Sequence, residues 1–222
     1  LNTGVRFTNT HLKATWIDDT FVTLPDMDIS LDNSAVTATF GVAYKPSINW
    51  QLNSVISSGF RSPNIDDVGK IREKSGNVTV PNIYLKPEYA YNFETSVLKY
   101  FNNKTFQTSL NIYYTLLTNY ITRDYFNMGN LSTIMYDGEQ GNVMANVNKK
   151  NAFIVGGTFG LRGSFATNLF IKGSITYTKG KTLDTNAPLP SIPPLFGSFE
   201  IGFEKDLFQV NLNWKYAAAK KI

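Results

Sequence analysis

The amino-acid sequence predicts an all-β protein, specifically an antiparallel up-and-down transmembrane β-barrel. Three observations predict it: long runs of alternating apolar and polar residues, aromatic side chains near the ends of those runs, and connections that alternate between short and long. No comparable period of 3.6 residues appears along the chain. We therefore expect helices to contribute little to the fold.

The alternating runs predict about nine strands. A weak run near residues 5–16 opens the series, and the clearest runs are Val36–Tyr44, Ile48–Phe60, Phe106–Leu116, Phe153–Leu161, Leu169–Tyr177 and Phe208–Tyr216. Most of them reach the roughly 9–11 residues that a tilted strand needs to cross a bilayer. Bacterial single-chain barrels have an even number of strands. The chain is therefore expected to be part of a larger barrel.

The composition of the second face supports a membrane barrel over a water-soluble sandwich. Opposite the apolar positions stand mainly Asn, Gln, Ser, Thr and Gly, as suits a wet or plugged lumen. A soluble β-rich binding or adhesion module stays open as the alternative. The 222 residues contain no cysteine and carry a net charge of +4, which argues against disulfides, a Cys-based zinc site and a nucleic-acid partner.

The connections between the runs alternate in length. They are short at Lys45–Ser47, Asn102–Thr105, Ala166–Asn168 and Lys205–Leu207, and long at Arg61–Tyr89, Thr122–Asn151 and Lys179–Phe196. Outer-membrane barrels have short periplasmic turns and longer external loops. Phe60 would be where one strand leaves the membrane, and Pro63 ends its pairing because proline has no N–H to donate.

Several segments resemble the barrel signature of TonB-dependent outer-membrane receptors. GFRSPNIDDV (59–68) and PNIYLKPEYAYNFETSVLKY (81–100) are similar to the family's aromatic-Arg-Ala-Pro box and its later Leu-x-Pro-Glu box. The matching residues are Phe60, Arg61, Pro63, Asn64, Leu85, Lys86, Pro87, Glu88 and Glu94, with Ser62 in place of Ala. The segment NVNKKNAFIVGGTFGL (146–161) resembles a further strand entry of the family, with Thr158 where Glu is usual. The segment PLPSIPPLFG (188–197) is similar to the loop-to-strand entry that follows it in many members.

The resemblance implies a 22-stranded barrel around an N-terminal plug, energised by TonB in the Gram-negative outer membrane. Residues 1–222 would be part of the barrel domain, with the plug and the closing C-terminal strands absent from this chain. The implied function is uptake of a scarce nutrient, chiefly a ferric siderophore, by a receptor that is neither an enzyme nor cofactor-dependent. Its implied partners are TonB through the plug, a ferric chelate, outer-membrane lipid and lipopolysaccharide. A passive porin without a plug is the alternative.

Four basic residues in the predicted external loop Arg61–Tyr89 are candidate ligand-attracting residues: Arg61, Lys70, Arg72 and Lys74. They could attract an anionic ferric chelate or lipopolysaccharide phosphates, although ordinary charges on a solvated loop are the simpler interpretation. Glu94 shares a face with Asn92 and Ser96. Since a carboxylate on the lipid face is costly, we expect Glu94 to face the lumen, with Arg162 as one candidate partner.

Two further groups carry weaker hypotheses. An acidic loop with Asp18, Asp19, Asp26, Asp28 and Asp32 offers oxygen ligands for a divalent cation, but it lacks EF-hand spacing and a plain acidic loop is favoured. His11 is the only histidine, and no nucleophile motif accompanies it. Haem-binding members of the family carry a histidine between the two boxes; residues 63–81 hold none, which disfavours haem.

Overall fold

The computed structural model describes residues 1–17, 22 and 28–220. In chain order its elements are β1 (Asn2–Thr15), β2 (Asp28–Ser47), β3 (Trp50–Arg61), α1 (Ile65–Val68), β4 (Arg72–Lys74), β5 (Asn77–Thr79), β6 (Glu88–Phe101), a 3₁₀ turn (Asn102–Lys104), β7 (Phe106–Thr118), β8 (Ile121–Tyr125), β9 (Thr133–Tyr136), β10 (Glu139–Asn148), β11 (Asn151–Ala166), β12 (Leu169–Thr182), β13 (Phe196–Lys205) and β14 (Phe208–Ala217). The all-β prediction is confirmed.

Nine long strands form one antiparallel sheet, the wall, in the order β1-β2-β3-β6-β7-β11-β12-β13-β14. Among the described residues β1 and β14 do not pair with each other, so the wall is an open segment of a barrel. Its strands are long enough to cross a bilayer: the shortest, β13 and β14, have 10 residues each, within the roughly 9–11 that a tilted strand needs, and β2 has 20 residues. No helix in the described ranges is long and apolar enough to cross a membrane.

The alternation of connections matches the prediction. Short links join β2 to β3, β6 to β7, β11 to β12 and β13 to β14 at one end of the wall, which we call the turn end. Long links join β1 to β2, β3 to β6, β7 to β11 and β12 to β13 at the opposite end, the loop end. This is the arrangement expected of an up-and-down barrel.

The strand registers give the wall one apolar face and one polar face. Across five adjacent strands the apolar face aligns Leu52, Val97, Leu110, Phe159 and Ile175. One residue further along, the polar face aligns Asn53, Ser96, Asn111, Thr158 and Thr176. The strands that the sequence analysis treated separately thus share one exposed apolar surface, far larger than a water-soluble monomer leaves open.

A second sheet, absent from the sequence-based expectation, lies within the two longest connections. Its order is β4-β5-β10-β8, and β9 pairs with β10. The strand pair β5 and β10 is parallel and joins the two connections. We call α1 and these five strands, within residues 62–87 and 119–150, the loop module. The predicted external loops therefore contain ordered secondary structure.

At the loop end, apolar residues take the place of polar ones on the polar face of the wall. Leu12 of β1 and Ile29 of β2 occupy polar-face positions, yet they pack with Val68 and Leu85 of the loop module. Trp16 contacts both this cluster and the core of the module. The loop module is consequently seated on the polar-face side of the wall, over its loop end.

The last long connection turns to the same side. Leu189 and Ile192 pack near Tyr120 and Ala152, and Leu189 N donates a hydrogen bond to Gly180 O at 3.0 Å. A Cβ added at Gly180 would lie 2.9 Å from Ile192 Cδ1. Gly180 therefore provides the close approach that seats this connection.

Candidate functional site

The residues of the two receptor-like boxes meet where β3 and β6 enter the loop module. Arg61 Nη2 donates to both carboxylate oxygens of Asp67 at 2.8 Å, and Arg61 Nη1 lies 3.8 Å from Glu88 Oε2. Glu88 Oε2 also accepts a hydrogen bond from the Ile121 backbone N–H at 2.8 Å. One arginine and two carboxylates thus connect β3, α1, β6 and β8 at a single junction.

Asn64 gives this junction its local geometry. It caps α1, because its Oδ1 accepts from Asp67 N at 2.9 Å and its own N–H donates to Asp67 Oδ2 at 3.0 Å. This reciprocal pair is a capping box, which satisfies backbone donors at a helix start. The Asp67 carboxylate therefore serves both the cap and Arg61.

The remaining box residues are packing residues at the same place. Pro63 is buried, Leu85 is 4% exposed within the cluster that holds Val68, and the Phe60 ring lies 5.4 Å from that of Tyr89. Pro87 is half-buried beside Glu88. The geometry assigns the boxes an anchoring role, holding the loop module against the wall.

Three asparagines that the sequence analysis did not single out complete the anchor. Asn148 Oδ1 accepts from Lys86 N at 2.7 Å, while its Nδ2 donates to Lys86 O at 2.8 Å. Asn146 Nδ2 donates to Asp67 O at 3.0 Å, and Asn82 Nδ2 donates to Asn146 O at 2.8 Å. The only sequence signal was the Asn-x-Asn at the start of segment 146–161, which names no partner.

The four candidate basic residues occupy different environments. Arg61 is held by carboxylates at the junction, and Lys70 is half-buried after α1. Arg72 and Lys74 are exposed on β4, and within the described ranges neither forms an ion pair. The structure therefore separates Arg61, an anchoring residue, from Arg72 and Lys74, which are exposed on β4.

A second ion pair lies in the other connection of the loop module. Lys149 Nζ donates to Asp124 Oδ2, and this hydrogen bond lowers the pKa of Asp124 and raises that of Lys149. Asp124 contributes to the stability of the folded state at pH values above its unfolded pKa, and this contribution is lost as pH falls through the lowered pKa of the folded state. The contribution of Lys149 to stability is lost only as pH rises through its raised pKa. The ion pair therefore persists at neutral pH.

Tyr120 is buried beside this pair. Burial raises the pKa of its phenol, with the nearby Asp184 carboxylate as the next cause. Tyr120 is 8% exposed and packs on Ala152 and Leu189. It therefore stays neutral at physiological pH and acts as a packing residue under the last long connection.

Glu94 lies on the polar face, as predicted, between Val55 of β3 and Tyr113 of β7. The prediction that Arg162 is a partner of Glu94 is wrong. Tyr113, which lies beside Glu94, pairs with Gly156 of β11, whereas Arg162 of β11 pairs with Gln107. The six residues that separate these positions amount to about 20 Å along the strand. Within the described ranges Glu94 has no hydrogen-bond or ion-pair partner.

Arg162 instead lines a cavity at the turn end. This cavity has a volume of about 530 Å³ and is lined by Lys104, Lys172 and Glu204 as well. Lys172 lies 3.8 Å from Glu200 on the neighbouring strand. The polar face at the turn end is thus rich in cations, while Glu94 is an unpaired carboxylate near its middle.

The acidic loop and His11 do not assemble a metal or catalytic site in the part of the chain that the structure describes. His11 Nδ1 lies 2.5 Å from Asp32 Oδ1, and Asp28 Oδ1 accepts from Thr15 Oγ1 at 2.7 Å. Asp18, Asp19 and Asp26 lie outside the described residues. No group of three or more potential metal ligands occurs within the described ranges.

Comparison with solved structures shows the same fold in a copper transporter, a hemophore receptor and a siderophore receptor. The copper transporter OprC is 19% identical with a TM-score of 0.73, over 96% of this chain and 30% of that one. A hemophore receptor, HasR of Serratia marcescens, is 15% identical with a TM-score of 0.69, over 98% and 40%. The siderophore receptor PirA from Acinetobacter baumannii is 17% identical with a TM-score of 0.68, over 96% and 33%.

These structures share the fold, and the chain spans between 30% and 40% of the length of these three. No curated protein sequence matches the chain. The family described as TonB dependent receptor-like, beta-barrel, matches residues 1–221. With the nine-stranded wall and the anchored loop module, this match leads to one conclusion: the chain belongs to the TonB-dependent receptor family, as part of its β-barrel.

Proposed function

We propose that the chain forms part of the wall and external loops of a Gram-negative outer-membrane receptor for TonB-dependent uptake of a scarce nutrient, with a ferric siderophore as the substrate class. The observation that carries the proposal is the two-faced wall, exposed apolar residues on one face and hydrogen-bonded amides and hydroxyls on the other. In a membrane barrel the apolar face meets lipid and the polar face meets the lumen.

Several of the solved structures with this fold are siderophore receptors or iron transporters, which supports this substrate class. The solved structures include a siderophore receptor, an iron transporter, a copper transporter and a hemophore receptor. Within that range the haem reading is disfavoured here, because residues 63–81 contain no histidine. TonB would act through a plug that lies outside residues 1–222.

A passive porin is the competing function. The loop module argues against it, since an anchored module of five strands and a helix is seated over the polar-face side of the wall. A soluble adhesion module fits still less well, because it would leave the whole apolar face in water.

Uptake measurements in cells carrying the full-length receptor test the proposal. Cells that express it should accumulate radioactive iron from at least one ferric siderophore in a panel of catecholate, hydroxamate and carboxylate chelates. Deleting TonB or dissipating the proton-motive force should abolish accumulation while leaving surface binding intact. Accumulation that persists without TonB would identify a passive channel.

We predict a transport role for Glu94, on the polar face and without a partner in the described part of the wall. If it anchors the plug, Glu94→Gln in the full-length receptor should reduce uptake while leaving ligand binding at the cell surface nearly unchanged. Glu200→Gln is the matched control, because that polar-face carboxylate already lies 3.8 Å from Lys172 within the wall. Unchanged uptake by Glu94→Gln would mean that Glu94 is merely hydrated.

A further inference from the structure

One lysine interrupts the apolar face in the central strands of the wall. The strands β3, β6, β7 and β11 lie within the described part of the chain, and their registers put a single charged side chain on that face, Lys99 of β6. A cation on a lipid-facing surface is costly unless it meets a partner. Lys99 therefore needs an anion, and this face of the four strands has no carboxylate to supply one.

Two aromatic rings hold the Lys99 ammonium. Its Nζ lies 4.7 Å from the centroid of the Trp50 ring and 4.8 Å from that of the Phe101 ring. Trp50 is the direct neighbour of Lys99 on β3, and Phe101 lies two residues further along β6, on the same face. Both distances are within the range of cation–π attraction. The lysine is thus half-buried and fixed in place.

Two more hydrogen-bond donors lie beside this lysine. Trp50 carries an indole N–H, and Thr108 of β7, the direct neighbour of Lys99 on its other side, carries a hydroxyl. Among the described residues, none of these three side chains has a hydrogen-bond or ion-pair partner in the protein. Unsatisfied donors are expensive next to hydrocarbon. The three side chains together call for an acceptor that comes from outside the wall.

The position of Lys99 along β6 places it where the apolar band ends. Nearer the loop end, the Tyr89 ring of the same strand face packs against Phe60 at 5.4 Å. Ten residues separate Tyr89 from Lys99, which is about 34 Å along the strand. At a strand tilt of about 40°, this is about 26 Å along the membrane normal, close to the height of about 25 Å of the apolar band in outer-membrane barrels. With the aromatic pair at one boundary, Lys99 lies at the other, at the level of the lipid headgroups.

We propose that Lys99, Trp50 and Thr108 form a binding site for the phosphate of an anionic glycerophospholipid in the leaflet at the turn end. The ammonium meets the phosphate charge, and the indole N–H and the hydroxyl donate to phosphate or ester oxygens. Phe101 and Phe106, whose rings lie 5.8 Å apart on the same face, offer an apolar surface for the start of an acyl chain. The site is continuous with the lipid-facing surface of the wall, which favours a lipid over a soluble anion. The inference depends on the barrel and is independent of the nutrient transported.

Native mass spectrometry of the full-length receptor in detergent, with added phospholipid, tests the proposal. The probes are phosphatidylglycerol, which is anionic, and phosphatidylcholine, whose own ammonium group competes for its phosphate. Lys99→Gln should lower the affinity for phosphatidylglycerol about fivefold, the contribution of one basic residue near anionic lipid. Its affinity for phosphatidylcholine should change little. A photoreactive phosphatidylglycerol should label peptides of β3, β6 and β7 in the wild type, and labelling should fall in Lys99→Gln.

Three variants separate the site from a general effect of charge. Lys45→Gln removes a lysine that is also exposed at the turn end but is outside the Lys99 site, and it should bind phosphatidylglycerol like the wild type. Lys99→Arg should keep the affinity, because a guanidinium also stacks on aromatic rings and binds phosphate. Trp50→Leu keeps the charge and the apolar surface but removes the ring and its N–H, and it should weaken phosphatidylglycerol binding.

The results that would overturn the proposal are distinct. Equal affinity of the wild type and Lys99→Gln for phosphatidylglycerol would show that no such site exists. An equal loss in Lys45→Gln and Lys99→Gln would reduce the effect to the overall charge of the turn end. If Lys99→Gln instead lost co-purifying lipopolysaccharide and bound phosphatidylglycerol normally, Lys99 would lie in the opposite leaflet and the proposal would be wrong.

Discussion

Leu212→Arg should destabilise the folded full-length barrel by about 2–4 kcal/mol. Leu212 lies near the middle of β14, is 55% exposed and belongs to the apolar face, in register with Ile201 of β13. In a membrane this position faces lipid, where a guanidinium loses its hydration. The free energy of unfolding in urea, measured in lipid vesicles from tryptophan fluorescence, reports the loss.

Asn213→Arg is the matched control, since Asn213 is the next residue and is also exposed, but it lies on the polar face. It should change the free energy of unfolding by far less. If Asn213→Arg were the damaging substitution and Leu212→Arg neutral, the assignment of the two faces would be reversed.

Leu85→Ala should cost about 2–5 kcal/mol in the docking of the loop module. Leu85 is 4% exposed and packs with Val68 and Ile29, so the truncation leaves a cavity between the module and the wall. The wall should stay folded, because its strand pairing does not depend on Leu85. Hydrogen exchange should therefore accelerate across residues 62–87 and 119–150 and remain slow in β6, β7 and β11.

Tyr84→Ala is the control for this substitution, since the adjacent Tyr84 is 77% exposed. It should leave exchange in the loop module unchanged. Uniform acceleration throughout the wall in Leu85→Ala would contradict the view that the module is a separately anchored unit.

The wall could be predicted from the sequence because its signal is local. Apolar residues at every second position, such as Val210, Leu212 and Trp214, identify a strand and its lipid-side face without knowledge of its neighbours. The same alternation correctly put Glu94 on the polar face. It says nothing of register, however, and Arg162 proved to be about 20 Å from the position beside Glu94.

The loop module could not be predicted because its signals are short and non-local. β4 and β5 have three residues each, below the length at which alternation is legible. The apolar residues Leu12 and Ile29 sit at polar-face positions and therefore weakened the periodicity of the first strands. This irregularity marks the part of the wall whose polar-face side packs against the loop module.

The sequence predicted only some residues of the candidate site. The boxes brought Arg61, Pro63, Leu85 and Glu88 to notice, but they did not reveal Asp67 as the carboxylate that joins Arg61 to the helix cap. The sequence also did not reveal that Arg72 and Arg123, which come from different connections, lie on the same face of one sheet, because only the pairing of β4, β5, β10 and β8 puts them there.

Cysteine labelling of intact cells tests the central claim, that the loop end faces the outside, where a ligand arrives. Ser75 lies in the loop module, and Ser47 is the last residue of β2, at the turn end; both are exposed, and the chain has no cysteine of its own. In the full-length receptor, Ser75→Cys should react with a membrane-impermeant maleimide, while Ser47→Cys should react only after the outer membrane is permeabilised. Labelling of Ser47→Cys but not Ser75→Cys in intact cells would contradict the account.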